Sequence, residues 1–200
     1  GNLISGNSLA YGQPGILCAQ PAGIKMGTGC AVNNTIYGNF VGTDIAGRRV
    51  PAGGAQQRFG IEIYFAEQNV IGGGTLGARN LISGNEYYGV FIHSVSSYPN
   101  PNKNIVRGNL IGTDATGAMG IGGGQSGVRI EDSWENQILD NVISSEGGGS
   151  NGVTLVGEMA SENIVQDNLI GTAADGVASI GIYDGVVIMY DANENEITNN

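Results

Sequence analysis

Cations are scarce in this chain: 8 of its 200 residues are Lys or Arg, against 18 Asp or Glu, a formal charge of −10. Nucleic acid and anionic membrane surfaces both need a basic face, so the shortage excludes them as partners. With 1 His and 2 Cys, no metal-ligand spacing can be assembled. No stretch approaches the ~18 apolar residues of a membrane span, and no signal peptide is visible. Charge of either sign is sparse at 13%, but apolar residues make up 40%, enough to build a core, so disorder is excluded as well.

What the chain has in excess is glycine, 36 residues, and asparagine, 21 residues. These are the two residue types that best tolerate positive φ. Turn formers every few positions would break any long helix. The glycines do not recur every third residue, which removes a collagen-like triple helix. A β-rich chain with very many turns remains.

The asparagines are periodic. Asn-x-(Ile/Val) recurs at Asn2, Asn39, Asn80, Asn109, Asn141 and Asn168 and is cut short at Asn200, with intervals of 27 to 41 residues. A second Asn stands five residues upstream at Asn34, Asn104, Asn136, Asn163 and Asn195. Between anchors lies a strand phrase led by glycine, as in Gly60-Ile61-Glu62-Ile63, Gly89-Val90-Phe91-Ile92 and Gly127-Val128-Arg129-Ile130. Alternation places Ile61 and Ile63 on one face and Glu62 on the other. No unit can bury its own apolar face, whereas stacked units form a continuous core. The chain is therefore expected to be all-β: a single-stranded parallel β-helix of about six coils, three short strands to each, ~4.8 Å from coil to coil.

A longer period is superimposed. Alternate units carry Val41-Gly42-Thr43-Asp44, Ile111-Gly112-Thr113-Asp114 or Ile170-Gly171-Thr172-Ala173, and the others carry Ile-Ser, as at Ile82-Ser83 and Ile143-Ser144. Length differences fall in glycine-rich stretches (51–60, 72–77 and 120–127), expected as loop insertions on one edge, and residues 1–200 are taken as one domain. The opening phrase Gly1-Asn2-Leu3-Ile4-Ser5-Gly6-Asn7 returns at 80–85, which places the start inside a repeat of a longer array.

These phrases, Asn-Leu-Ile-Ser-Gly-Asn, Gly-Val-x-Ile and Gly-Asn-Leu-Ile-Gly-Thr-Asp-x-x-Gly, resemble the right-handed parallel β-helix proteins of the pectate-lyase-like superfamily. More narrowly, they are similar to Asn-rich repeat arrays of large secreted or surface proteins of environmental bacteria. The resemblance covers the whole chain and implies the right-handed fold and an extracellular or cell-surface setting. It leaves activity open, since the superfamily holds lyases, hydrolases, epimerases, tailspikes and adhesins. Polygalacturonase-type hydrolysis would imply Asp-Asp, Gly-His-Gly and Arg-Ile-Lys, none of which occurs. Lyase chemistry would imply clustered calcium-binding Asp residues with a basic residue nearby.

The column Asn39, Asn109, Asn141 and Asn168 is expected to sit in the left-handed region at a sharp bend, its amides stacked as a structural ladder. Asp44 and Asp114 provide one acid per turn. Calcium, the one ion the motif would suit, needs several, so a turn-forming role is expected and no cofactor or metal. Cys18 occupies an inward slot, and Cys30 lies in the insertion after it. A bridge between them requires Cα atoms within ~7 Å, which spacing does not decide. Leu3, Phe40, Leu81, Leu110, Val142 and Leu169 follow the ladder position, either turned inward at the bend or forming an outward apolar stripe.

One outward face carries chemistry. Three successive units present Glu62 and Tyr64, then Phe91 and His93, then Arg129 and Glu131. Glu62 and Glu131, two coils apart, would have Cα atoms about 10 Å apart, nearer the inverting than the retaining carboxylate arrangement. Such a face suits binding or cleavage of a polysaccharide. It equally suits a solvated surface with both carboxylates flanking His93. With no complete catalytic set, the leading expectation is a non-catalytic structural or adhesive module that also stacks end to end on neighbouring copies.

Overall fold

A computed structural model describes residues 2–4, 16–19, 31–51, 57–94, 103–122, 124–144 and 149–200, with only the backbone at 17–19. The strands fall into three six-stranded sheets, each collecting every third strand in parallel pairing. The first holds β1 (Leu3–Ile4), β4 (Phe40–Val41), β7 (Leu81–Ile82), β10 (Leu110–Ile111), β13 (Val142–Ile143) and β16 (Leu169–Ile170). The second holds the longest strands: β2 (Ile16–Ala19), β5 (Phe59–Tyr64), β8 (Tyr88–His93), β11 (Ser126–Glu131), β14 (Asn151–Val156) and β17 (Asp184–Met189). The third holds β3 (Thr35–Ile36), β6 (Val70–Gly72), β9 (Ile105–Arg107), β12 (Gln137–Leu139), β15 (Ile164–Gln166) and β18 (Glu196–Thr198). Consecutive strands always belong to different sheets, and the chain is a parallel β-helix.

Each coil sends β-branched residues from all three sheets inward. Ile61, Ile63, Ile71 and Ile82 are fully buried, as are their counterparts Val90, Ile92, Val106, Val128 and Ile130. All belong to one continuous cluster. The leading glycine of the four inner long strands, β5, β8, β11 and β14, has a steric cause. A Cβ on Gly89 would lie 2.6 Å from the Gly127 carbonyl oxygen and 2.7 Å from Ile111 Cγ2, and Gly60, Gly127 and Gly152 stand equally close to the next coil. Only a residue without a side chain passes so near a neighbouring backbone.

Two asparagine ladders run the length of the stack. In one, Asn2, Asn39, Asn80, Asn109, Asn141, Asn168 and Asn200 pass an Nδ2–H···Oδ1 bond from coil to coil at 2.8–3.1 Å. In the other, Asn34, Asn69, Asn104, Asn136, Asn163 and Asn195 do the same at 2.9–3.1 Å. The asparagines themselves are not left-handed. Positive φ falls one residue earlier, at Gly38, Gly108, Asp140, Asp167 and Asn199 in the first ladder and at Asn33, Gln68, Lys103, Glu135, Glu162 and Glu194 in the second. That residue turns the chain so that the following N–H and amide both lie along the coil axis.

The insertions do not all share one connection. In chain order the stretches 51–60 and 120–127 lead from a strand of the first sheet into one of the second, but 72–77 leads from β6 of the third sheet toward β7 of the first, where a 3-10 turn spans Leu76–Ala78. The leucine column matches neither alternative. Ile82 belongs to the central core, while Leu81, Leu110 and Val142 form their own buried cluster against Phe40, on the outer face of the first sheet. The Gly-Thr-Asp turns cover them: a Cβ at Gly47 would meet Leu81 and Phe40, and one at Gly117 would meet Leu110. Leu3 and Leu169, on the two edge strands of that sheet, are exposed.

Candidate functional site

The long strands of the second sheet set the candidate residues in two ranks. Register aligns Leu17, Glu62, Phe91, Arg129, Thr154 and Val187 in one and Ala19, Tyr64, His93, Glu131, Val156 and Met189 in the other. All six expected residues therefore share one outer face, though not as an open solvated surface. His93 Nε2 lies 2.7 Å from Glu62 Oε1, with only 17% and 15% of the two side chains exposed. The Phe91 ring stacks on the imidazole at 3.8 Å between centroids, and Tyr64 stacks on it at 4.7 Å.

Glu131 is the register neighbour of His93 on the next strand, but its carboxylate turns to Arg129 instead. Its Oε2 accepts from Arg129 Nε at 2.9 Å and ion-pairs with Arg129 Nη2 at 2.8 Å, while the same guanidinium lies 5.3 Å over the Tyr88 ring. The acids and bases brought together by the fold are thus engaged pairwise: Glu62 with His93, Arg129 with Glu131. Farther along the ranks the face closes, with Thr154 and Val156 buried. Thr154 Oγ1 lies 2.9 Å from Ser126 Oγ.

Sequence reasoning missed the aromatic half of this face. Phe59 stacks on Tyr88 at 5.4 Å and meets Phe91 at 5.0 Å, Tyr87 adjoins both Phe59 and Tyr88, and the Arg58 guanidinium lies 4.8 Å over Tyr87. Counting outward from Ile61 by twos would send Phe59 inside. The crowded Gly60 breaks the alternation, so the residue before it shares the outer face with Glu62. An aromatic residue directly before two of the strand-opening glycines, Phe59 before Gly60 and Tyr88 before Gly89, was the available signal.

The Gly-Thr-Asp turns use their carboxylates internally. Burial alone would raise the Asp114 carboxyl, but hydrogen bonds from the Thr116 hydroxyl and the Met119 and Ala118 N–H groups outweigh it and hold the group below its usual 3.8. Asp44 is held low foremost by the Arg48 N–H, and in the third copy Asp175 by the Val177 and Ala178 N–H groups. Each is a carboxylate closing its own turn. Among the described residues no three His, Cys, Asp or Glu side chains converge to hold a metal ion. Among the same residues no helix is long and apolar enough to cross a membrane. Cys30 and the Cys18 side chain lie outside the described residues; the Cys18 backbone pairs in register with Ile63.

Fold and face together define a parallel β-helix with an aromatic and ionic cluster on its longest sheet. No family model matches the sequence. No curated protein matches it either. Among solved structures the chain is similar to the periplasmic alginate epimerase AlgG, with a TM-score of 0.47 and 13% identity over 92% of this chain and 36% of that one. It is also similar to the A-module of the Azotobacter vinelandii mannuronan C-5 epimerase AlgE4, with a TM-score of 0.39 and 15% identity over 84% of this chain and 46% of that one. The chain thus spans between about a third and a half of either neighbour's length.

Proposed function

We propose that this chain is a non-catalytic β-helix module that works as a rigid spacer or adhesive rod in an extracellular or surface protein. The observation that carries this reading is the pairing of Glu62 with His93 and of Arg129 with Glu131 beneath stacked rings. A general acid or base must be free to exchange a proton with a substrate atom within hydrogen-bond reach. Here Glu62 is held by His93 Nε2, and Glu131 by Arg129. Rigidity follows from the two ladders, which tie each coil to the next through buried side chains as well as through the sheets.

A second reading has its own observation. The contiguous, half-buried rings of Phe59, Tyr87 and Tyr88, with Arg58 and Arg129 beside them, offer a stacking surface suited to binding a polysaccharide on the same face. A panel of neutral and acidic polysaccharides separates the two. Neither turnover nor any change on Glu62→Gln, His93→Ala or Glu131→Gln is expected. Turnover that disappears in those variants would overturn the non-catalytic reading. Binding without turnover that is lost in Tyr88→Ala would assign the face to glycan recognition.

A further inference from the structure

The residue before each rung of the second ladder is held at a φ of 54–58°, and down the column it reads Asn33, Gln68, Lys103, Glu135, Glu162, Glu194. Gln137 pairs with Ile164, and Ile164 with Glu196, so the glutamates two positions earlier stand in one row. Neighbouring members are ~4.8 Å apart along the stack, and like charges in such a row repel. Only Glu135 is relieved, by Lys103 Nζ at 3.4 Å from its Oε2. Among the described residues Glu162 and Glu194 have no ion-pair partner. Beside the row lies an open depression of about 460 Å³, lined by Trp134, Glu158, Met159, Ser161 and Glu162. Trp134 is the only tryptophan of the chain.

We propose that this depression and the carboxylate row bind a cationic glycan, a chain of β-linked hexosamines bearing free amines. An indole face accepts the C–H face of a pyranose and attracts an ammonium beside it. The carboxylates recur once per coil, ~4.8 Å apart, so a chain lying along the row meets several of them at once. Lys103 already seats an ammonium on this row. The net charge of −10 favours the approach of a polycation. A basic peptide would satisfy the carboxylates but leave the indole without its sugar face. The site shares no residue with the face around His93, so either reading can fail without the other.

Trp134 also reports occupancy, because no second indole contributes to the emission. Titration of the chain with glucosamine hexamer, its amines protonated, is expected to give a saturable change in tryptophan fluorescence, while N-acetylglucosamine hexamer gives none. The Glu162→Gln/Glu194→Gln variant should bind about tenfold more weakly, the loss of two screened charge contacts, and Glu62→Gln should bind like the wild type. Gln68 occupies the same column at φ 56°, so glutamine is compatible with that backbone. The proposal is overturned if the amine hexamer leaves the emission unchanged, or if the acetylated hexamer binds as well. Hexalysine binding as tightly as the sugar would also overturn it and make the row a basic-peptide site.

Discussion

Asn109 offers the sharpest test of what holds the coils together. It is fully buried. Its Oδ1 accepts from the Asn80 N–H at 3.2 Å and from Asn80 Nδ2 at 2.9 Å, and its Nδ2 donates to Asn141 Oδ1 at 3.0 Å and to the Ile71 carbonyl at 2.9 Å. Asn109→Ala removes all four. Two losses are softened, because Asn80 Nδ2 keeps the Ile36 carbonyl and Asn141 Oδ1 keeps the Asn109 N–H. The Asn80 N–H, in a residue with no exposed surface, loses its acceptor. One orphaned donor at about 1–3 kcal/mol, with the net loss of the other bonds, gives a cost of about 4 kcal/mol. Asn2 is exposed and donates from its side chain to Asn39, so its alanine variant should cost under about 1 kcal/mol. Asn109→Asp keeps the shape and the acceptor but turns an oxygen toward two other acceptors, and should cost no less than alanine. Urea unfolding followed by far-UV circular dichroism gives the free energies, and hydrogen exchange at the Asn80 amide localises the damage. The ladder account fails if Asn109→Ala lies within about 0.5 kcal/mol of wild type, or if aspartate proves milder than alanine.

Gly89→Ala should destabilise by about 2–3 kcal/mol, because its Cβ collides with a backbone carbonyl that cannot step aside. Gly74→Ala, with nothing within 4 Å of the added carbon, should stay within about 0.5 kcal/mol; comparison of the two urea midpoints checks this. Asp114 has a folded pKa below its usual 3.8, so its carboxylate stabilises the fold above that pH and the contribution is lost as pH falls through the folded value. The stability gap between wild type and Asp114→Asn, measured by urea titration, should therefore narrow below about pH 4. A gap that stays constant from pH 7 to pH 2 would remove the turn-closing role.

The strand pattern was legible because alternation and a repeated asparagine are local signals, and the inward residues follow from them directly. The second ladder was only partly visible. Asn69 belongs to it, but the insertion at 72–77 moves Asn69 eleven positions ahead of Asn80 instead of five, which hides the spacing. On the candidate face the ranks could be counted, whereas the pairing could not. Both Glu62 and Glu131 lie one coil from His93. The choice between them is made by Arg129, two residues before Glu131 on the same face, which draws that carboxylate away. Such competition depends on rotamers and distances that spacing does not encode.

The two-coil period, a textual regularity in the sequence, acquires a cause from the covered leucine column. A turn that caps the outer face of the first sheet needs about 10 Å of thickness, as any packed layer does, while one coil supplies only ~4.8 Å. Two coils match one turn. The turns accordingly stack on each other directly, the Ala115 N–H donating to the Gly47 carbonyl at 2.7 Å and the Ala174 N–H to the Gly117 carbonyl at 2.8 Å. The intervening coils have no space for a cap of their own and carry serine instead. Ser83 Oγ donates to the Thr113 carbonyl at 2.7 Å, and Ser144 Oγ donates to the Ile180 carbonyl. The structural repeat is therefore a pair of coils with a shared outer layer, and this second layer shields Leu81, Leu110 and Val142, which a bare solenoid would expose to lateral association. That side is therefore sealed against lateral association.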